Sequence, residues 1–187
     1  QIEAVAVGNG TGGQSSKASA GGSIAKFTAA GKQGMKKDLG AIAMTYGNVY
    51  VAQVSHGASQ AQVVKAFNEA ESFDGPSIII AYSHCIAHGI DMTKGIDEQK
   101  LAVSSGMWPL FRFDPRKIEA GESPLQLDSK KPSLPFHKFA ETEGRWNSLL
   151  RSNPEHAEML LAKAQKEINK RFHLYEQMAK MDWNGEQ

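Results

Sequence analysis

The run Ser77-Ile78-Ile79-Ile80-Ala81-Tyr82 constrains this chain more than any other segment. Three consecutive isoleucines leave no polar face, so a strand built from them has to be covered on both sides. Asp74-Gly75-Pro76 separates the run from what precedes it. A strand buried on both faces belongs inside a parallel sheet, and parallel strands need crossover connections, usually helical.

The flanking segments supply such connections. Val49-Tyr50-Val51-Ala52-Gln53-Val54 is a second β-branched strand, bounded by Gly47 and Gly57. Ser59 can cap a helix reaching Phe73, with Val63, Val64, Phe67 and Ala70 on one face. Leu39, Ile42, Ala43 and Tyr46 recur at helical spacing, with Gly47 as the stop. Residues 2–7 read as a short buried strand running into a glycine-rich turn. Residues 14–34 are small and polar, with room only for a short helix over 23–30. Residues 86–95 read as a loop and 97–107 as a helix. Residues 108–113 resemble an edge strand, since Pro109 cannot donate to a ladder. Residues 114–135 form a Pro- and Lys-rich connection.

From 154 to 181 the pattern is one long amphipathic helix, with Leu160, Ala164, Ile168, Phe172, Tyr175 and Met178 on a stripe. Asn153 can cap it and Pro154 suits its first position. The expected fold is α/β, a mainly parallel sheet flanked by helices, over residues 1–115. Residues 116–187 then form an extended connection and a C-terminal helical arm.

Charge narrows the function. Lys and Arg total 21 against 20 Asp and Glu, a formal net charge of +1. A nucleic-acid binder needs clustered excess positive charge, so that class is set aside. No apolar run approaches the ~20 residues that span a bilayer, so no membrane partner is expected. At 187 residues the chain can bury a core without a disulfide or metal staple. Its one cysteine, Cys85, excludes an intrachain disulfide and suits a reducing cytoplasm. The chain opens on a strand with neither an initiator Met nor a signal peptide. The expectation is a piece of a longer polypeptide.

Two places could carry chemistry. Gly8, Gly10 and Gly13 satisfy G-x-G-x-x-G after a strand, the form of a dinucleotide-binding turn. No convincing helix follows, and no acidic residue ends a second strand about 20 residues on. A phosphate-binding turn rich in backbone N–H groups and a plain surface turn rank above a nicotinamide site. Cys85 ends the buried strand, at the edge where open α/β sheets gather ligands. It reads as an inert thiol, as a nucleophile with His84 or His88 as base, or as one metal ligand whose companions lie elsewhere. His56 suits a capping or core role, and His156 and His173 on the long helix receive none.

A set of segments in order points further. They are Thr11-Gly-Gly-Gln-Ser-Ser-Lys17, Ala25-Lys-Phe-Thr-Ala-Ala-Gly-Lys32, Lys37-Asp-Leu-Gly40, Tyr46-Gly-Asn-Val-Tyr-Val-Ala52, Glu69-Ala-Glu71, Gly75-Pro-Ser77, Ile80-Ala-Tyr-Ser-His-Cys85, His88-Gly89, Trp108-Pro-Leu-Phe-Arg-Phe-Asp-Pro115 and Leu127-Asp-Ser129. Together they resemble the C-terminal end of the pyruvate:ferredoxin (flavodoxin) oxidoreductases, over nearly the whole chain.

The resemblance implies a large, usually dimeric enzyme. It decarboxylates pyruvate oxidatively, forms acetyl-CoA from coenzyme A, and passes electrons through [4Fe-4S] clusters to ferredoxin or flavodoxin. The last domain holds thiamine diphosphate with Mg²⁺, and this chain corresponds to the C-terminal half of that fold. Val5, Ala6, Val7, Gly8, Asn9, Gly10 and Thr11 match the diphosphate and Mg²⁺ turn. Val7 matches a carbonyl ligand of Mg²⁺, and Asn9 and Gly10 match the catalytic end of the turn. Val5 stands where the family places a Thr ligand, and Gly10 where it places Asn, with Asn9 one residue early. Cys85 matches one ligand of the proximal cluster, whose other three cysteines lie upstream in the family. Two other readings stay open: a non-catalytic structural or dimer-contact fragment, and a nucleotide-binding α/β module.

Overall fold

The computed structural model describes residues 2–8 and 37–183. Among the described residues five strands make one sheet: β1 (Ile2–Gly8), β2 (Tyr50–Val54), β3 (Ser77–Ser83), β4 (Phe111–Phe113) and β5 (Leu125–Leu127). Their order across the sheet is β1-β3-β2-β4-β5. β1 and β2 both pair with β3 in parallel, with Val5 opposite Ile80 and Val51 opposite Ile78. β4 pairs antiparallel with β2, and β5 antiparallel with β4.

The isoleucine strand is therefore internal, as its composition requires. Ile79 and Ile80 are each 1% exposed and belong to different hydrophobic clusters. The period of two in a strand sends neighbours to opposite faces. β2 does the same, with Val51 in one cluster and Tyr50, Ala52 and Val54 in the other.

Helices cover both faces. α1 (Leu39–Met44) opens at Asp38, whose side chain accepts from the Ala41 N–H at 3.0 Å. α2 (Gln60–Glu71) opens at Ser59, as read from the sequence. Its buried face differs from that reading: it presents Gln62, Ala66 and Ala70, whereas Val64 and Phe67 are exposed. The small alanines let the helix lie close to β2. Gln62 is drawn inward because its amide donates to the Gln53 carbonyl and to Asp128.

α3 (Gly95–Ser104) starts two residues earlier and ends three earlier than the sequence pattern suggests. α4 (Arg116–Glu119) is a single turn. α5 (Phe136–Ala140) and α6 (Gly144–Ser152) place Phe136, Phe139 and Trp146 in the same core as Val51 and Ile80. α7 (Pro154–Met178) is capped by Asn153, ends three residues before the expected 181, and buries Leu160, Ala164, Ile168, Phe172 and Tyr175 of the expected stripe, with Met178 partly buried. Tyr175 stacks on Phe111 at 4.7 Å, and its hydroxyl donates to Asp38 at 2.7 Å.

The α/β expectation holds, with a sheet that is parallel on one side and antiparallel on the other. The segment read as an edge strand is not at the edge. β4 is flanked by β2 and β5, and Pro109 stays outside the ladder, its carbonyl accepting from Gln53 at 2.7 Å. β5 itself lies in the stretch read as plain connection and is three residues long, too short for any periodicity to show.

Behind this half of the sheet a buried arginine ties elements together. Arg112, in the middle of β4, grips Asp128 with two N–H groups at 2.8 and 2.9 Å and reaches Glu69 of α2 with a third. Glu69 also accepts from the Tyr50 hydroxyl at 2.9 Å, and Ser129 accepts the Leu110 N–H at 2.7 Å. The Glu69, Arg112, Asp128 and Ser129 positions of the quoted segments are thus accounted for as scaffold.

Candidate functional site

Parallel strands end together, so β1, β2 and β3 deliver their carboxyl ends to one edge of the sheet. β3 leaves the sheet at Ser83, and His84 and Cys85 follow at once. Cys85 is a free, half-buried thiol. Its backbone is held on both sides.

Upstream, His84 Nδ1 lies 3.1 Å from the side-chain amide of Gln99 on α3. The His84 ring rests on Gly95, the first residue of α3, where any Cβ would overlap it. Downstream, the Cys85 carbonyl accepts from the His88 N–H at 3.0 Å, closing a 3-10 turn over Ile86–His88. Gly89 ends that turn at φ 74°, in the left-handed region, and a Cβ on it would lie 2.9 Å from the Gly144 Cα. The Gly144 N–H donates to the Gly89 carbonyl at 3.2 Å.

Beneath the turn is a buried charged group. His88 is 2% exposed, and its Nδ1 lies 3.5 Å from Glu143 Oε1. Glu143 is fully buried and accepts from Arg145 at 2.6 and 3.0 Å and from the Trp146 indole at 3.1 Å. Burial alone would raise the Glu143 carboxyl, but the Arg145 guanidinium and His88 outweigh it and hold the group below the usual carboxylate range. Glu98 of α3 has the opposite fate. Burial pushes it up to about 7, against the pull of the Thr142 hydroxyl, and the Glu143 charge adds to the rise. Two neighbouring carboxyls are thereby driven apart.

Val5, Ala6, Val7 and Gly8 lie on β1, in register with Ile80, Ala81, Tyr82 and Ser83. Gly8 therefore sits beside Ser83, one strand spacing (about 4.8 Å) from the segment leading to Cys85. Asn9, Gly10, Thr11 and Gly13 lie outside the described residues. His56 is exposed after β2, while its neighbour Ser55 is fully buried.

Among the described residues no group of three or more His, Cys, Asp or Glu could hold a metal ion. A [4Fe-4S] cluster takes four thiolates, and this chain has one cysteine. One thiol on a fixed strand-end loop fits the role of a single ligand completed by others. A hydroxyl ligand to Mg²⁺ does not fit at Val5, whose side chain has no oxygen. The Val7 carbonyl needs no particular side chain. As for a base beside Cys85, His84 and His88 each have a partner at Nδ1.

Gln99, Glu98 and Glu143 are the residues that sequence reading missed. All three are polar positions in or beside helices, and nothing in their spacing marks them as buried.

Comparison with known proteins sets this edge in context. The chain is 53% identical, over 169 residues and 90% of its length, to a pyruvate-flavodoxin oxidoreductase of Nostoc sp.. By sequence it is a homologue of one segment of the pyruvate:flavodoxin (ferredoxin) oxidoreductases. It is 50% identical over the same share of the chain to the pyruvate:ferredoxin oxidoreductase of Moorella thermoacetica. It is 46% identical over 170 residues to a mitochondrial pyruvate dehydrogenase [NADP(+)] of Euglena gracilis. The chain spans 14% of the length of the first two of these oxidoreductases and 9% of the third. No family model matches it. No helix among the described residues is long and apolar enough to cross a membrane.

Proposed function

We propose that this chain is the C-terminal part of a cytoplasmic pyruvate:ferredoxin/flavodoxin oxidoreductase, with its active site completed by upstream domains of a homodimer. The observation that carries the reading is 53% identity along 90% of the chain to a protein of that name. In this reading Cys85 gives one thiolate to a [4Fe-4S] cluster assembled with cysteines from upstream sequence. The cluster supplies one-electron transfer on the way to ferredoxin or flavodoxin. The chain's own contribution is a preset ligand: His84 and His88 are both anchored, so Cys85 changes little in position when a cluster forms around it.

The β1 turn, Val5 to Thr11, is the segment that faces thiamine diphosphate and Mg²⁺ in this reading. The cofactor would supply the carbanion chemistry that converts pyruvate and coenzyme A to acetyl-CoA and CO₂. Val5 favours a second possibility for this turn alone, a non-catalytic packing role, because it offers Mg²⁺ no side-chain oxygen. The test uses the full-length protein carrying this segment. Cys85→Ser should remove or alter one cluster's EPR signal on reduction while leaving thiamine diphosphate content unchanged. An unaltered set of cluster signals would rule out Cys85 as a ligand. Thiamine diphosphate missing from the wild-type protein would leave the β1 turn with the packing role.

A further inference from the structure

Gln99 joins three elements where Cys85 emerges. It lies on α3, is 6% exposed, and uses both ends of its amide. Its Oε1 accepts from the Ser55 hydroxyl at 2.9 Å and from the Gly57 N–H at 2.8 Å. Two donors on one oxygen decide which end of the amide is which. The NH₂ end is therefore the one that meets His84 Nδ1 at 3.1 Å, and it donates to that nitrogen. His84 must then carry its ring proton on Nε2. Ser55 follows β2 and His84 follows β3, so one side chain ties the ends of two adjacent parallel strands to α3. Ser55 is fully buried, so its hydroxyl depends on this amide as its partner.

The latch reaches the thiol within a single peptide unit. Rotation of His84 is limited on one face by Gly95 and at its edge by Gln99. The residue that follows inherits that constraint through the backbone.

We propose that Gln99 is a positioning residue that aims the Cys85 thiolate at its iron, acting through His84. This rests on the reading of Cys85 as a cluster ligand. Groups that orient a metal ligand from behind change metal retention about 10–100-fold when lost, and they tune the potential of the site.

Four variants of the full-length enzyme test this: Cys85→Ser, Gln99→Met, His84→Phe and the double variant Gln99→Met/His84→Phe. Methionine fills the volume of Gln99 without its hydrogen bonds. Phenylalanine keeps a ring against Gly95 but has no Nδ1. The readouts are the EPR spectrum of the reduced enzyme, the midpoint potential of each cluster, and the rate of iron loss to a chelator. Gln99→Met should keep all clusters, shift the signal and potential of the one that Cys85→Ser perturbs, and speed its iron loss about 10-fold. His84→Phe should shift the same signal, and it carries the test if Gln99→Met does not fold. The double variant should shift it no further than either single variant, because both break one connection.

If Cys85→Ser perturbs a cluster and neither Gln99→Met nor His84→Phe moves its signal or potential, the positioning role is wrong and the ligand reading stands. Shifts that add in the double variant would refute action through His84. Cluster signals untouched by Cys85→Ser would overturn the ligand reading and this inference with it.

Discussion

Glu98→Gln should flatten part of the pH dependence of stability, and the size of the effect can be worked out. Glu98 is 4% exposed, and its Oε1 is buried without a hydrogen-bond partner. Its Oε2 lies 2.5 Å from the Thr142 hydroxyl, which is also 2.6 Å from the Phe139 carbonyl. A hydroxyl has one proton, and a carbonyl can only accept. With Glu98 neutral, its own proton serves Thr142, and the Thr142 proton serves Phe139. With Glu98 ionised, the two acceptors compete for one proton and a charge is buried beside Glu143.

Burial thus lifts Glu98 from an ordinary 4.5 to about 7. A group whose pKa is raised on folding gives full stabilisation below its unfolded pKa and loses it as pH climbs through the folded one. Between pH 5 and pH 8 that loss is about 2.5 kcal/mol, from a slope of about 1.4 kcal/mol per pH unit. Glutamine donates to Thr142 at every pH. The variant should therefore match the wild type near pH 5 and exceed it by about 2.5 kcal/mol at pH 8. Urea unfolding of the 187-residue chain, followed by fluorescence of the buried Trp108 and Trp146, measures the difference. A difference that stays constant from pH 5 to 8 would refute the placement of a neutral carboxyl at Glu98.

Two further substitutions test the scaffold. Gly89→Ala forces a side chain into the left-handed region and toward Gly144, and should cost about 2 kcal/mol or more in the same unfolding assay. Arg112→Leu leaves Asp128 and Glu69 without their shared cation and should cost about 3 kcal/mol, with part of the loss recovered by the added Asp128→Asn. An Arg112→Leu variant as stable as the wild type, or no gain on adding Asp128→Asn, would refute this role of the ion pairs.

The regular elements were legible where chemistry is local. Three isoleucines made β3 central, Ser59 and Asn153 announced their helices, and five of the six α7 stripe residues are buried as read, Met178 being partly buried. What escaped depended on distant partners. Gln62 turned its helix because Asp128, 66 residues away, offers an acceptor. β5 has three residues and exists only because β4 lies beside it. The site divides the same way. Cys85 stood out as the lone thiol at a strand end. Its anchors did not, since Gln99 meets Ser55 across 44 residues and Glu143 meets His88 from far along the chain.

The contact between Tyr175 and Asp38 spans 137 positions. It has a consequence for the order of events during synthesis. Asp38 caps α1 with one carboxylate oxygen and receives the Tyr175 hydroxyl on the other, while the Tyr175 ring covers Phe111. A ribosome reaches residue 175 about 7–27 s after residue 38 at elongation rates of roughly 5–20 residues per second. In the later part of that interval, once Phe111 has joined Val51 and Ile80, the α1 face of the sheet has no lid from α7. From then until α7 is complete the emerging chain presents a sticky surface to its surroundings, and the final helical turns are what end the exposure. The window is one in which a chaperone has something to hold.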